Sequence, residues 1–308
     1  MKIAVTGGAG FIGSHIVDIY LKNGHEVIII DNLSTGTTDN LNPDAKLYVE
    51  DINSKKVYDI FKREKFDIVN HHAAQIDVRT SVKDPSFDAS VNILGSLNIY
   101  EAAKETGVKK IIFASSGGAI YGEQSTFPVS EDHPTNPISP YGIAKLINEK
   151  YLFYYKTVYG IDYVCLRYAN VYGPRQNYHG EAGVVAIFIN NMLSNRQPVI
   201  NGDGKNSRDY IYVSDVAMAN LLALNPELSG EFNIGTSIER DVNYIFTKLK
   251  VLAKSDCKEI HGESKAGEQR RSVISYNKIF GKCGWSPTVK IDEGLMLTTD
   301  YFMEQSKK

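Results

Sequence analysis

Lys2-Ile3-Ala4-Val5-Thr6-Gly7-Gly8-Ala9-Gly10-Phe11-Ile12-Gly13 is the stretch on which the fold turns. An apolar, β-branched run over Lys2–Thr6 ends in glycines, and a helical pattern follows over Phe11–Asn23. Gly7, Gly10 and Gly13 have the spacing G-x-x-G-x-x-G. The first glycine permits a tight turn, the second lets a pyrophosphate approach the backbone, and the third lets helix and strand pack closely. Glycine turns between strand and helix are common, so the reading depends on what comes next. The following run, Glu26–Ile30, ends at Asp31, where an acidic side chain would accept ribose hydroxyls. Asp31-Asn32 is also good turn chemistry. No Arg or Lys occurs between Asp31 and Asn42, so nothing there would receive an extra 2′-phosphate, and NAD is expected rather than NADP. Asp51-Ile52 would flank the adenine, and the main chain of Ala73-Ala74-Gln75 would run along the cofactor.

Working outward, further strand-like runs lie at Lys46–Val49, Phe66–Asn70, Lys109–Ala114 and Tyr163–Tyr168. Helical patterns separate them at Ser54–Arg63, Pro85–Thr106 and Tyr141–Tyr159. Regular strand–helix alternation predicts an α/β fold with a doubly wound parallel sheet, a Rossmann domain over residues 1–172. From Gly173 onward, loops rich in Gly, Pro and Asn appear, with shorter helical stretches near Ala182–Leu193, Asp215–Leu224, Val242–Leu252 and Ile291–Phe302. Residues 173–308 read as a smaller C-terminal substrate-binding region, with segments near 209–235 returning to the Rossmann sheet. The Lys307-Lys308 end reads as a frayed tail.

The 308 residues carry a formal net charge of -2, with 43% hydrophobic and 23% charged residues. Without a basic field, nucleic acid and acidic membranes are not expected partners, and a phosphate-bearing ligand must be held by local groups. No apolar run approaches the length of a membrane-spanning helix, and no secretory signal is read at the N-terminus. Cys165, Cys257 and Cys283 are odd in number and lack metal-ligand spacing. Buried thiols in a reducing cytoplasm are the expectation, and no metal site.

Tyr141-Gly-Ile-Ala-Lys145 is the expected chemical centre, because a spacing of four puts both side chains on one helix face. A nearby ammonium stabilises a phenolate; lowering a tyrosine from near 10 by roughly 3 units takes about 4 kcal/mol, to which Lys145 and an oxidised nicotinamide would both contribute. The phenolate then serves as general base on a sugar hydroxyl. Spacing alone does not select it: Tyr58/Lys62, Tyr100/Lys104 and Tyr244/Lys248 share the pattern. What selects Tyr141 is that it opens a helix after a Pro-rich loop (Pro134, Pro137, Pro140), which itself follows the strand end Ala114-Ser115-Ser116. In doubly wound sheets ligands sit at strand carboxyl ends. Ser116 there would donate a hydrogen bond to the reacting oxygen.

With these residues in view, the chain resembles the extended short-chain dehydrogenase/reductases, and among them the UDP-glucose 4-epimerase branch. The segments MKIAVTGGAGFIGSHIVD, IIDNLSTG, HHAAQIDVRTSV, VNILGSLNIYEAA, FASSGGAIYGE, SPYGIAK, LRYANVYGPRQ and GDGKNSRDYIYVSDVA carry the resemblance, in family order and over nearly the whole chain. The resemblance implies NAD-dependent epimerisation at C4 of a UDP-hexose through a 4-keto intermediate. It assigns Tyr141 as base, Lys145 as its electrostatic partner and ribose anchor, and Ser116 as the assisting hydroxyl. The strand-end turn is one residue longer than in many members, which leaves Ser115 beside Ser116 as a candidate. The resemblance further implies cofactor contacts from Phe11, Ile12, Asn32, Ser34, Gly36, Asn92, Tyr168 and Ala169. Asn170 and Arg208 would bind the diphosphate; Lys265 stands where a second arginine is expected. Ser272 falls where some members carry a bulky residue that closes the sugar pocket, so its small side chain would admit a 2-acetamido group.

Sibling reactions stay open: a UDP-uronate 4-epimerase, a decarboxylase or a dehydratase. A dehydratase of the family carries Asp-Glu after the strand-end hydroxyl, where this chain has Gly117-Gly118. A non-catalytic NAD-binding protein on this fold is a rival of another class. The family implies a homodimer through a four-helix bundle, here Pro85–Thr106 and the helix from Tyr141. Ile93, Leu94, Leu97 and Tyr100 form an apolar stripe that suits a dimer face or core packing.

Overall fold

Alternation along the strands accounts for the layers. Ile3, Val5, Val27, Ile29, Val164 and Leu166 fill the core on one face of the main sheet, and Ala4, Ile28, Ile30, Tyr163 and Cys165 fill the core on the other. Strands buried on both sides become almost continuously apolar, as this sequence is. The computed structural model describes residues 1–178, 183–264 and 269–307.

In chain order the strands are β1 (Lys2–Thr6), β2 (Glu26–Asp31), β3 (Lys46–Val49), β4 (Ile68–His71), β5 (Lys110–Ser116), β6 (Asp162–Tyr168) and β7 (Asn170–Tyr172). There follow β8 (Ile200–Asn201), β9 (Ser207–Tyr212), β10 (Gly230–Ile234), β11 (Glu239–Asp241), β12 (His261–Gly262) and β13 (Arg271–Ser272). The helices are α1 (Phe11–Lys22), α2 (Lys56–Glu64), α3 (Val78–Lys83), α4 (Pro85–Ala89), α5 (Ser96–Thr106) and α6 (Pro140–Tyr159). After them come α7 (Val184–Leu193), α8 (Val213–Leu222), α9 (Val242–Leu252), α10 (Asn277–Cys283) and α11 (Ile291–Gln305).

The main sheet has seven parallel strands in the order β10-β6-β5-β4-β1-β2-β3. The fold is therefore α/β and doubly wound. Its order reverses between β1 and β4, the place where such sheets open a ligand crevice. Helices α1 and α8 pack together over one face, and α2, α5 and α6 cover the other. A second, small sheet joins β11, β9 and β13, with β7 pairing the later half of β9. It packs with α7, α9 and α11 around a third core that includes Phe188, Phe246 and Phe302.

The chain passes back to the main sheet after Gly173. Of the stretch near 209–235, β9 lies in the small sheet, whereas α8 packs on α1 and β10 forms the outer strand beside β6. Helix α10 packs on β10, and Ile279 and Trp285 enter the main core, a return that the periodicity alone does not announce. The stretch Pro85–Thr106 is helical but not uniform: α4 runs into a π-helical turn over Ser90–Gly95 before α5. Tyr100, read with the apolar stripe, is fully buried and donates to Asn148 Oδ1 at 2.8 Å, while Leu94 stands 60% exposed. The apolar stripe is thus split between core and surface. No described helix is long and apolar enough to cross a membrane.

Candidate functional site

At the carboxyl end of β1, Gly7 takes φ +70°, and a methyl group there would lie 2.7 Å from Ala73 N. One at Gly13 would lie 2.2 Å from Gly7 O, so helix and turn touch backbone to backbone. Gly10 differs: a methyl group would meet only Gly7 O, at 3.2 Å, and otherwise face open space. Gly10 is the N-cap of α1; no side chain caps this helix and no acidic residue occupies its first turn. Uncapped N–H donors at a helix start fit an anionic pyrophosphate. Phe11 and Ile12 open the helix, with Phe11 edge-on to His15.

Asp31, at the end of β2, is buried and accepts from Ala9 N at 3.0 Å and Leu33 N at 2.8 Å. Each carboxylate oxygen keeps a further lone pair for ribose hydroxyls. Asn32 donates to Asp51 Oδ2 at 2.7 Å and accepts from Ser34 N at 3.0 Å, tying these three positions together. Gly36 lies against Ala9, where a side chain would meet its carbonyl carbon at 2.9 Å. Ile52 is buried against Gly95. On the other side of the crevice, Ala73 N donates to Thr6 Oγ1, and Ala74 and Gln75 continue along it. Asn92, on the π-helical turn, grips Gln75 at both backbone atoms: it accepts from Gln75 N at 2.9 Å and donates to Gln75 O at 2.8 Å. Tyr168 is buried at the end of β6, its hydroxyl 3.0 Å from His72 Nε2 and accepting from Asn220 Nδ2 at 2.7 Å. Ala169 N donates to Ile234 O. These residues fit a dinucleotide laid across the switch point, from Asp31 through Gly10 to Tyr168.

Helix α6 begins where Ser139 Oγ accepts from Gly142 N and Pro140 takes the first position, a favoured helix start. Ser81 Oγ also accepts from Tyr141 N at 3.3 Å. A methyl group at Gly142 would lie 2.7 Å from Ala119 O, so the helix start presses on the turn after β5. Tyr141 is half-buried, with Ser116 near enough to act on its hydroxyl. Burial pushes its hydroxyl up to about 12, Ser116 pulls the other way, and Asp88 raises it further. Lys145 is buried and donates to Ala114 O at 2.8 Å; its ammonium lies 4.8 Å from the centre of the Phe113 ring and 5.6 Å from that of Tyr141. Burial lowers it to about 8, against the opposing pull of Asp88. In the chain by itself, desolvation of the phenol therefore outweighs the pull of Ser116.

The other Tyr-x-x-x-Lys pairs sit elsewhere. Tyr244 and Lys248 both bind Asp292 at the surface, Tyr100 is in the core, and Tyr58 is 41% exposed. The two serines at the end of β5 also separate. Ser115 is buried and donates to Glu149 Oε1 at 2.6 Å, within an ion pair that Glu149 makes with Arg167 at 2.7 Å. Ser116 faces Tyr141.

Toward the small sheet, Ser272 and Arg208 are direct neighbours in register. Arg208 Nη1 donates to Ser207 O at 2.8 Å. Asn170 begins β7. A methyl group at Gly118 would lie 3.8 Å from Asn170 Oδ1 and 4.0 Å from both Ser116 Oγ and Ser272 Oγ, with nothing nearer. Three residues from distant stretches thus meet around a glycine. Lys265 lies outside the described residues. Sequence reasoning missed Gly118, Gln124 and Asp88. Gln124 donates to Ser272 Oγ at 3.4 Å and accepts from Val273 N at 3.0 Å, from a loop without periodicity. Asp88 stands four residues before Asn92, a one-turn helical spacing that was legible. Among the described residues no cluster of His, Cys, Asp or Glu could hold a metal ion.

The chain is similar to known proteins in both sequence and fold. The model of the NAD dependent epimerase/dehydratase family matches residues 3–235. The UDP-glucose 4-epimerase of Thermotoga maritima, solved with UDP-glucose, is similar with a TM-score of 0.97 and 48% identity, over 99% of this chain and 100% of that one. That of Thermus thermophilus, solved with NAD, gives 0.95 and 42% over 98% and 99%. A UDP-N-acetylglucosamine 4-epimerase from Methanobrevibacter ruminantium, solved with UDP-N-acetylmuramic acid, gives 0.93 and 37% over 99% and 98%.

Proposed function

The chain belongs to the NAD-dependent epimerase/dehydratase family, and on that premise we propose that it inverts C4 of a UDP-hexose, interconverting UDP-glucose and UDP-galactose and accepting their 2-acetamido forms. It is an NAD-dependent nucleotide-sugar epimerase of the UDP-glucose 4-epimerase type. The observation that carries the reaction is the meeting of Ser116, Tyr141 and Lys145 beside Gly118 and Asn170.

Residues 1–172 would hold NAD through Gly10, Asp31 and the Ala73–Gln75 main chain, and residues 173–308 the sugar diphosphate through Arg208, with Asn170 at the boundary. NAD held there would supply the acceptor and then the donor of the C4 hydride. Tyr141 Oη removes the proton from the sugar 4-hydroxyl and returns it after the keto sugar has turned over, so no proton is consumed overall. Ser116 Oγ steadies the oxygen that exchanges this proton. Lys145 supplies positive charge beneath the Tyr141 ring, which favours the phenolate whenever the base is empty. Diphosphate held firmly by an arginine fork beside a roomy sugar site permits the rotation.

Small residues support the substrate range. Gly118 and Ser272 leave space between Ser116 and the small sheet, where a 2-acetamido group would lie. The exposed face of α6, with Ile143 at 45%, Tyr154 at 44% and Val158 at 55% exposure, supports a homodimer through this helix. Three free cysteines support a cytoplasmic setting.

Purified protein incubated with UDP-galactose and no added cofactor is expected to yield UDP-glucose, followed by proton NMR. No product, with and without added NAD⁺, overturns the reading.

A further inference from the structure

Asp88 is a buried carboxylate that the reaction above does not use. It is 1% exposed on α4, where Pro85, Ser86 and Phe87 before it face solvent. A carboxylate is rarely so deep without a partner of opposite charge. Its Oδ1 accepts from Gln75 Nε2 at 3.0 Å and Asn92 Nδ2 at 2.9 Å. Its Oδ2 has no hydrogen-bond partner among the described residues. Helix α4 packs directly on α6. Lys145, on α6, is the matching case: of three ammonium donors, one is used, on Ala114 O. No ion pair joins the two; a buried carboxylate and a buried ammonium stand on helices that pack directly on each other.

We propose that Asp88 is a positioning residue for the reaction, the counter-charge that keeps buried Lys145 cationic while bracing the cofactor-side segment at Gln75. The proposal rests on the functional reading above for its catalytic meaning, and on the packing of α4 against α6 around two buried charges for its electrostatics. The groups around the pair are few. From the end of β4, His71 and His72 are driven down to about 3 by burial and stay neutral. From β6, burial raises the Cys165 thiol well above its ordinary range. On α3, Arg79 and Lys83 are exposed, as is Asp84 at the start of α4, and Asp77 lies beyond Gln75. Asp88 itself is raised by burial and lowered by Gln75, Asn92 and Lys145. Across the neutral range, then, Asp88 and Lys145 are the charges that answer each other. Loss of the Asp88 charge weakens the hold of Lys145 on its proton, and removes the repulsion that Asp88 exerts on a Tyr141 phenolate. Both changes point toward lower pH.

Asp88→Asn keeps an oxygen for Gln75 and Asn92 and removes the charge. The titration of Lys145 is read directly in the full chain by NMR of ¹³Cε-lysine, its signal assigned by its absence in Lys145→Arg. The Lys145 midpoint is expected to fall by about one pH unit in Asp88→Asn, and to stay near the parent value in Asp88→Glu. An unchanged midpoint in folded Asp88→Asn, or an equal fall in Asp88→Glu, overturns the proposal. The pH profile of UDP-galactose conversion is the second readout. Its alkaline limb, where Lys145 loses its proton, should move to lower pH in Asp88→Asn; a lower maximum with unmoved limbs would show a merely structural role. Absence of turnover in the parent counts against the functional reading alone and leaves the lysine titration intact.

Discussion

Ser115 donates to Glu149 Oε1 at 2.6 Å, while Ser116, the next residue, faces Tyr141. Adjacent residues on a strand point to opposite faces, so two hydroxyls one position apart serve different layers. Ser116→Ala is expected to lower kcat by one to two orders of magnitude with the melting temperature little changed. Ser115→Ala should do the reverse: it leaves Glu149 short of a buried donor, at about 1–3 kcal/mol, with kcat near the parent value. Thermal melts and steady-state rates on both variants decide the assignment; exchanged phenotypes would make Ser115 the assisting hydroxyl.

The three glycines should separate in the same manner. A methyl group at Gly13 collides with backbone at 2.2 Å, whereas one at Gly10 faces open space. Gly13→Ala is expected to unfold or strongly destabilise the chain. Gly10→Ala should stay folded but bind NAD at least tenfold more weakly, as measured by calorimetry on cofactor-free protein. Undiminished NAD binding by Gly10→Ala would remove Gly10 from the cofactor site.

Tyr141→Phe removes one hydroxyl from a half-buried ring. General base catalysis contributes on the order of 10² to 10⁴ in rate, so kcat should fall by at least that range with circular dichroism unchanged. Turnover near the parent level would exclude Tyr141 as the base.

Lys145 also links stability to pH. An ordinary lysine keeps its proton to 10.5, but Lys145 releases it near 8 because burial disfavours the charge. Between those values the unfolded chain binds a proton that the folded chain lacks, so stability rises with pH through the window. Relative to Lys145→Met, the cofactor-free parent should gain on the order of 2–3 kcal/mol between pH 7.5 and pH 10. Denaturant unfolding at the two pH values measures it, and a constant difference would contradict the lowered pKa.

Closure of the sugar site can be tested at Ser272. Ser272→Tyr should suppress conversion of UDP-N-acetylglucosamine tenfold or more relative to UDP-galactose. Equal losses on both substrates would detach Ser272 from the choice between them.

Much of this was legible in the sequence because single residues are forced by backbone contact. Gly7 and Gly13 have no room for a side chain, and strands such as β2 are apolar without a break, here from Val27 to Ile30. The π-helical turn at Ser90–Gly95 was not legible, since Val-Asn-Ile-Leu-Gly carries no mark that separates it from an α-helix. Helix α3 has six residues, too few for periodicity to emerge. The choice between Ser115 and Ser116 was hidden for another reason. Which serine turns inward depends on Glu149 and Arg167, two residues from other elements that only folding brings to the end of β5. Gly118 likewise shows no role until β7 and β13 arrive beside it.

Strand β10 completes the main sheet only after β7, α7, β8 and β9 have been laid down elsewhere. During synthesis the first half of the protein therefore leaves the ribosome with β6 as a bare edge, able to pair with any extended segment nearby. Tyr121 also waits, because its hydroxyl bonds Asn233 on the missing strand. A fragment that stops at Tyr172 should behave as a sticky, chaperone-dependent nascent chain rather than as an independent module. The two halves of this enzyme are thus inherited as a unit and would not be exchanged between relatives by a single crossover at Gly173.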